Sequence, residues 1–253
     1  MKIIAVTQAR SGSKRFPKKI LNKINGKTLL EIHINRIKKA RLVDEIIIAT
    51  TLNPDDEVIK EIARLMNVKY YSGSEDDVLD RLYKSVETIK PDYIIRLTSD
   101  CTLIDPELID EVVSGALKKN LDYYSNVLIP SYPDGQDIEI IKFNALEMAW
   151  KESKLISDRE HVTPYIKNNS TFLGKNIFTS DNHLCEHDYN KVRMVVDYVE
   201  DLIVIQLLIE VLGEEASWLD YTEHYLFDKK INSNNLNINR NEGYIISKKN
   251  DSK

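Results

Sequence analysis

At 253 residues, with 42% hydrophobic and 30% charged side chains, the chain suits one large α/β domain or a domain with an inserted lobe. Its net charge of −5 argues against nucleic acid as the main partner, and Cys101 and Cys185, its two cysteines, exclude a disulfide framework or a metal-spaced cysteine cluster. No apolar run approaches the roughly 18 residues of a membrane span, and Ile3–Val6 is too short for the core of a signal peptide, so a cytoplasmic protein with no membrane partner is expected.

The first predicted element is a strand over Ile3–Val6, short, β-branched and uncharged, as a strand buried on both faces should be. It runs through Gln8 and Ala9 into the small residues Ser11, Gly12 and Ser13, set among Arg10, Lys14, Arg15, Lys18 and Lys19. Small residues let the backbone approach an anion, and the cations suit clustered phosphates. Composition alone favours a solvated basic loop. Its place at the carboxyl end of a first parallel strand, where open α/β sheets bind ligands, favours the anion site. The loop matches neither G-x-x-x-x-G-K-[ST] nor G-x-G-x-x-G.

Thr28 and Glu31 make a capping-box pattern ahead of a helix carrying Leu30, Ile34 and Ile37, and Ile46–Thr50 reads as a second buried strand. Asn53 caps a helix with Pro54 in its first turn and Val58, Ile62 and Leu65 on one face. A short strand Lys69–Tyr71, a polar loop Ser72–Asp76, a helix on Val78, Leu79, Leu82 and Val86, and a strand Tyr93–Leu97 follow. Asp105-Pro106 then opens a helix carrying Leu108, Val112 and Ala116. This β-α alternation predicts a parallel sheet with helices on both faces.

The alternation stops after Leu117. Strands over Asp122–Ser125 and Asp137–Lys142 flank a loop with Pro130, Pro133 and Gly135; helices are expected over Ala145–Glu152 and Ser157–Asn168, the second with Ser157 and Glu160 as a capping box. Phe172–Phe178 and Val192–Val196 read as strands, and Glu200–Leu212 as a strongly apolar helix. The organisation expected is one domain over 1–231, with a first half to about 120, an added mixed-strand arm over about 121–190, and a return to the core. The asparagine-rich tail 232–253 carries no firm pattern.

Asp100 follows the strand Tyr93–Leu97, and Asp197 follows Val192–Val196. Two strand-end carboxylates suit Mg²⁺, which takes one or two such groups and fills its octahedron with phosphate and water. Each also suits a plain helix cap. Asp76, Asp77 and Asp80 are acids that a helix dipole would favour.

Six stretches in order over roughly residues 2 to 210 carry a resemblance: Q-A-R-S-G-S-K-R-F-P-K-K-I-L at 8–21, G-S-E-D-D-V-L-D-R at 73–81, R-L-T-S-D-C-T-L-I-D-P-E-L-I-D at 96–110, Y-P-D-G-Q-D-I-E at 132–139, R-E-H-V-T-P-Y-I at 159–166 and V-V-D-Y-V-E-D-L at 195–202. The chain resembles the cytidylyltransferases of the spore coat polysaccharide biosynthesis protein F type, relatives of CMP-Kdo synthetase and the acylneuraminate cytidylyltransferases. The resemblance implies a three-layer, Rossmann-like nucleotidyltransferase fold, a mostly parallel sheet of the kind seen in GT-A glycosyltransferases, with the added arm serving the acceptor and a homodimer contact. It implies CMP transfer from CTP to a sugar acid or related surface-glycan precursor, with Mg²⁺ as cofactor; a phosphorylated sugar or polyol is the alternative acceptor.

Carried over residue by residue, the resemblance makes Arg10, Lys19 and Asp100 catalytic, and Asp100 and Asp197 metal ligands. The nucleotide would lie against Gln8, Ala9, Arg10, Ser11, Gly12, Ser13, Arg15, Lys19, Ser74, Arg81 and Asp100. Asp134, Gln136, Asp137, Glu139, Arg159 and His161 would face the acceptor, with Arg159 holding its anionic group or else pairing with Asp158 or Glu160. Departures from the family pattern stand at Lys18, where these loops commonly carry glycine, at Ser99 and Thr102, and at Tyr198-Val199 in place of threonine-proline. A glycosyltransferase reading lacks its usual Asp-x-Asp, since Asp100-Cys101-Thr102 has no second acid. A non-catalytic binding protein would have no reason to keep Arg10, Lys19, Asp100 and Asp197 together.

Overall fold

The computed structural model describes residues 1–240 together with Lys248 and Asp251. The uncharged run at the start becomes β1 (Ile3–Gln8), followed by a small hairpin of β2 (Lys23–Ile24) and β3 (Lys27–Thr28) and by α1 (Leu29–Ile37). The capping box forms as its pattern predicts. Thr28 Oγ1 accepts from the Glu31 N–H at 3.2 Å, and the Glu31 carboxylate accepts from the Thr28 N–H at 2.6 Å. The alternation continues through β4 (Glu45–Thr51), α2 (Glu57–Leu65), β5 (Lys69–Gly73), α3 (Val78–Val86), β6 (Tyr93–Thr98) and α4 (Pro106–Lys119). Asp77 and Asp105 cap α3 and α4 with their side chains.

The second half contributes β7 (Tyr123–Ser125), β8 (Glu139–Lys142), α5 (Phe143–Glu152), α6 (Ile156–His161), α7 (Pro164–Asn168), β9 (Ser180–Asn182), α8 (Val199–Leu212), α9 (Trp218–Phe227) and α10 (Lys229–Asn232). One seven-stranded sheet results, in the order β5-β4-β1-β6-β8-β7-β9. β1 is parallel to β4 and β6, whereas β8 runs antiparallel to both of its neighbours. The chain moves outward from β1 to β4 and β5, then returns to β6 on the other flank of β1. The loops after β1 and β6 therefore diverge and open a crevice at the carboxyl edge.

Apolar side chains of α1, α2 and α4, among them Ile34, Ile62 and Val112, pack on one face of the sheet. Leu79, Leu82 and Val86 of α3 and Leu146 of α5 pack on the other, which completes the three layers. Each such buried side chain contributes roughly 1.5–3 kcal/mol, so the sheet is clamped from both sides. α8 and α9 bring Val204, Leu208, Tyr221 and Tyr225 against Leu29 and Ile32 of α1, which ties the end of the chain to its beginning. No helix among the described residues is long and apolar enough to cross a membrane.

The structure corrects several expectations. The buried face of α2 is Ile59, Ile62 and Ala63, while Val58 and Leu65 are exposed; a tighter 3-10 turn over Pro54–Asp56 leads in and sets the face one residue on. Residues 157–168 form two short helices instead of one. Val162, fully buried, takes a left-handed backbone (φ 72), and Pro164, which has no N–H to continue a helix, opens α7. Ser157 does not cap; its N–H donates to the Asp251 carboxylate at 2.9 Å. In place of a strand 172–178 there is a 3-10 turn Thr171–Leu173 and a lone bridge between Ser170 and Phe178. Val192–Val196 joins no ladder, because its partners are loops: Arg193 bridges Asp134, and the Val196 N–H donates to the Asp100 carbonyl at 3.0 Å. The start of the tail is built into the core, with Asn235 buried.

Candidate active site

The first loop closes on itself instead of presenting the expected backbone cradle. The Ala9 N–H donates to the Ala49 carbonyl at 3.1 Å, the Ser13 N–H to the Ser11 carbonyl at 2.9 Å, and the Ser11 N–H to the buried Asp56 carboxylate at 2.7 Å. The backbone N–H groups of Ala9, Ser11 and Ser13 are thus already bonded within the protein. Lys18 is exposed and left-handed (φ 57, ψ 22), the backbone state in which a glycine costs nothing and any other residue is strained. Gly12 leaves room for Glu75, whose Oε1 would lie 3.0 Å from an added Cβ, and Glu75 pairs with Arg10 at 3.5 Å.

Arg81 does not reach outward. Only 2% exposed, it donates to the carbonyls of Ser74 and Glu75, and burial beside Arg10 pulls its pKa down to about 10. It shapes the loop after β5 from beneath. Ser74 Oγ meanwhile accepts from the Asp77 N–H at 3.0 Å, one of the bonds that opens α3.

Asp100 and Asp197 converge on one cation. Lys19 Nζ lies 2.8 Å from Asp100 Oδ2 and 2.7 Å from Asp197 Oδ1, and Arg15 reaches the same Asp197 oxygen at 2.7 Å. Burial would raise the Asp100 pKa; Lys19 overrides it and holds the carboxyl at about 2. Burial likewise works against the Lys19 charge, and the two acids outweigh it, raising its pKa. Below, His33 is fully buried and, through burial, titrates near 4; its Nδ1–H donates to the Cys101 carbonyl at 2.8 Å and Nε2 accepts from the Thr7 hydroxyl at 2.9 Å. Asp197 is set by Asp201, whose carboxylate accepts the Asp197 N–H at 2.9 Å and takes Arg193 bidentately at 2.8 and 3.0 Å. Asn235 donates to the same carboxylate at 2.9 Å. Two carboxylates sharing one cation fit a Mg²⁺ ion completed by phosphate and water; among the described residues no third acid, histidine or cysteine joins them to cage a metal.

These carboxylates open into a cleft of about 480 Å³ at the carboxyl edge of β1 and β6, with Gln8 and Thr98 in its lining. The cleft also takes in Asp134, Asp137, Glu139 and His161. It brings together four cations that sequence reasoning missed: Arg96, Lys167, Arg193 and Arg240. Arg193 pairs with Asp134 at 2.8 Å; Arg240 pairs with Asp137, lies 3.7 Å from Asp134 and donates to the Tyr132 carbonyl at 3.1 Å. Burial, with Asp137 close by, pushes Asp134 up to about 7 against the pull of Arg240 and Arg193. Gly135 takes φ 114 and packs so tightly that a Cβ would lie 2.7 Å from the Met194 backbone. Burial lowers the His161 pKa below the ordinary imidazole value.

Gln136 and Arg159 lie outside the lining. Gln136, fully buried, joins Leu103 and Asp105 through a donated bond of 2.8 Å and an accepted one of 2.9 Å, so it braces the loop after β6. Arg159 pairs with neither Asp158 nor Glu160; it binds Asp77 at 2.7 Å and the Trp150 carbonyl at 2.8 Å, a brace between α6 and the start of α3. A clue to one missed cation lay in the sequence: Arg96 is the lone charge in an otherwise apolar strand. Arg240 gave none, being set in an asparagine-rich tail.

Comparison with known proteins agrees with this geometry. The sequence profile of the cytidylyltransferase family matches residues 4–230. An uncharacterized protein of Methanocaldococcus jannaschii is 36% identical over 240 residues, 92% of this chain and 96% of its own. The spore coat polysaccharide biosynthesis protein SpsF of Bacillus subtilis is 30% identical over 84% of this chain and 88% of its own. A cytidylyltransferase structure from Leptospira borgpetersenii superposes with a TM-score of 0.85 at 30% identity, covering 94% of this chain and 98% of that one. With the strand order, the diverging loops and the paired aspartates all in place, the chain belongs to the cytidylyltransferase family and is a nucleotidyltransferase enzyme.

Proposed function

We propose that this enzyme transfers CMP from CTP to a sugar acid or related surface-glycan precursor and releases pyrophosphate. The observation that supports this most is Lys19 shared between Asp100 and Asp197 at the mouth of a cleft with a second, differently charged wall. An acceptor oxygen would attack the α-phosphorus, and the bond to the bridging oxygen would break as pyrophosphate leaves with the electron pair. Lys19, Arg15 and Arg10 are the cations placed to take up the charge that grows on phosphate oxygens, and their fixed positions lower the barrier. Bound between Asp100 and Asp197, Mg²⁺ would supply further neutralisation of those oxygens. Asp134, Asp137, Glu139 and His161 orient the acceptor.

The acceptor class is supported by SpsF, named for spore coat polysaccharide biosynthesis, and by a 3-deoxy-manno-octulosonate cytidylyltransferase of Geobacter metallireducens, 34% identical over 52% of this chain. Transfer to a phosphorylated sugar or polyol is the second reading, favoured by Arg96 and Lys167 in the cleft, whose charge suits a phosphate as well as a carboxylate. The cytoplasm, where CTP is made, and a homodimer joined through residues of the 121–190 arm belong to the same proposal. Pyrophosphate release is to be measured with each common NTP against a panel of acidic sugars and sugar phosphates. Release with CTP and one acidic acceptor is the expected result; release with no pair overturns the reading.

A further inference from the structure

Arg96 stands on β6, four residues before Asp100, and is 13% exposed at its side chain; Lys167 stands on α7 at 27%. Both turn into the cleft, and both meet the same buried carboxylate, Glu139 at the start of β8. Arg96 binds its Oε1, Lys167 its Oε2 at 2.9 Å, and the Tyr123 hydroxyl donates to Oε2 as well. Burial would raise the Glu139 pKa, but Lys167 and Arg96 outweigh it and keep the group ionised.

Two cations on one carboxylate leave a positive charge in excess in a place half removed from water, where an unmatched charge is costly. A strut joining β6, β8 and α7 would be neutral with one cation. Arg96 has further donors than the one on Glu139 and a second on Gln8 Oε1 at 3.3 Å, and Lys167 has three protons of which Glu139 takes one. The opposite wall is different, because Arg193 and Arg240 there serve three acids, Asp134, Asp137 and Asp201, which leaves no positive charge over. Among the described residues, an anion entering the cleft therefore meets cations in excess of their paired acid on the Arg96–Lys167 wall.

We propose that Arg96 and Lys167 form the subsite for the acceptor's anionic group, a carboxylate or a phosphate, with Glu139 as the positioning residue that holds both cations. This rests on the transfer to an anionic acceptor proposed above. Arg159 does not compete for the group, since it lies outside the cleft on Asp77.

The test is binding to the full-length protein, followed by kinetics. Four probes are titrated calorimetrically: 3-deoxy-manno-octulosonate, its methyl ester, glucose 1-phosphate and glucose. The wild type is expected to bind one of the two anions, and which one separates carboxylate from phosphate. If it is the acid, the ester binds about 10- to 100-fold more weakly, the scale of a lost charge-assisted hydrogen bond; if it is the phosphate, glucose is the neutral control. Lys167→Met and Arg96→Gln are expected to erase the difference between the anion and its neutral counterpart, with CTP affinity within about twofold of wild type. Lys167→Met leaves Glu139 paired with Arg96, so it carries the test if Arg96→Gln fails to fold. Variants that keep the wild-type discrimination overturn the subsite, and so does a wild type that binds neither anion. Discrimination lost in the variants while no pyrophosphate is released by the wild type leaves the subsite standing and removes the transfer reading.

Discussion

Removing the charge of Asp100 takes away one of the two anions that position Lys19, while its neighbour His33 keeps the loop in place through the Cys101 carbonyl. Asp100→Asn is therefore expected to lower pyrophosphate release at least about a hundredfold, the scale of one lost preorganised electrostatic group, with little change in Tm. A variant of wild-type turnover would show that the pair has no part in the chemistry. Lys18 is the opposite kind of residue, strained and exposed. Its left-handed backbone gives a physical reason for the glycine usual in related loops. Lys18→Gly should relieve about 0.5–1 kcal/mol, seen as a higher denaturation midpoint, while turnover stays the same. A lower midpoint would mean that the lysine side chain stabilises the loop by more than the strain it carries.

At the scale of elements, α6 hangs on Arg159, which ties it to the acid that caps α3. Arg159→Ala is expected to cost about 1–2 kcal/mol in stability through lost hydrogen bonds to a charged partner and to leave the acceptor KM unchanged. A raised KM at wild-type stability would return Arg159 to the acceptor site. The same region marks where sequence reading stops. α3 was legible because Val78, Leu79, Leu82 and Val86 repeat at helical spacing and all four are buried. α1 was legible because its capping box is a local, four-residue device. The break between α6 and α7 was not, since it depends on Val162 being pulled into the core in a strained backbone, which no local pattern announces. The paired aspartates and Lys19 could be named from motifs, yet Arg96 is held by Glu139, 43 residues away, which Lys167 shares. Such meetings are made by the topology, and spacing along the chain does not carry them.

Across the whole molecule, the last described turns bring Arg240 back to the cleft, anchored by Asn235, which donates to the Arg193 carbonyl at 3.1 Å and to Asp201. Arg240→Ala would leave Asp134 and Asp137 buried with less compensation, so their pKa values would rise further above the unfolded value. Groups with a raised folded pKa favour the fold when protonated, and that support is lost as pH rises through the raised value. The Tm deficit of the variant should therefore be small at pH 5 and wider at pH 8; an equal deficit at both would assign Arg240 a purely packing role. The reversed course of β8 carries a consequence for inheritance. Since β8 pairs Glu139 with Arg96, its first residue lies beside the catalytic end of β6, and the excursion 126–138 feeds straight into the cleft. Lineages can thus rewrite that excursion, and with it the lining of the cleft, while passing on β1, β6 and the loop after β1 unaltered. A single cytidylyltransferase scaffold is thus open to diversification by changes at the entrance of one strand.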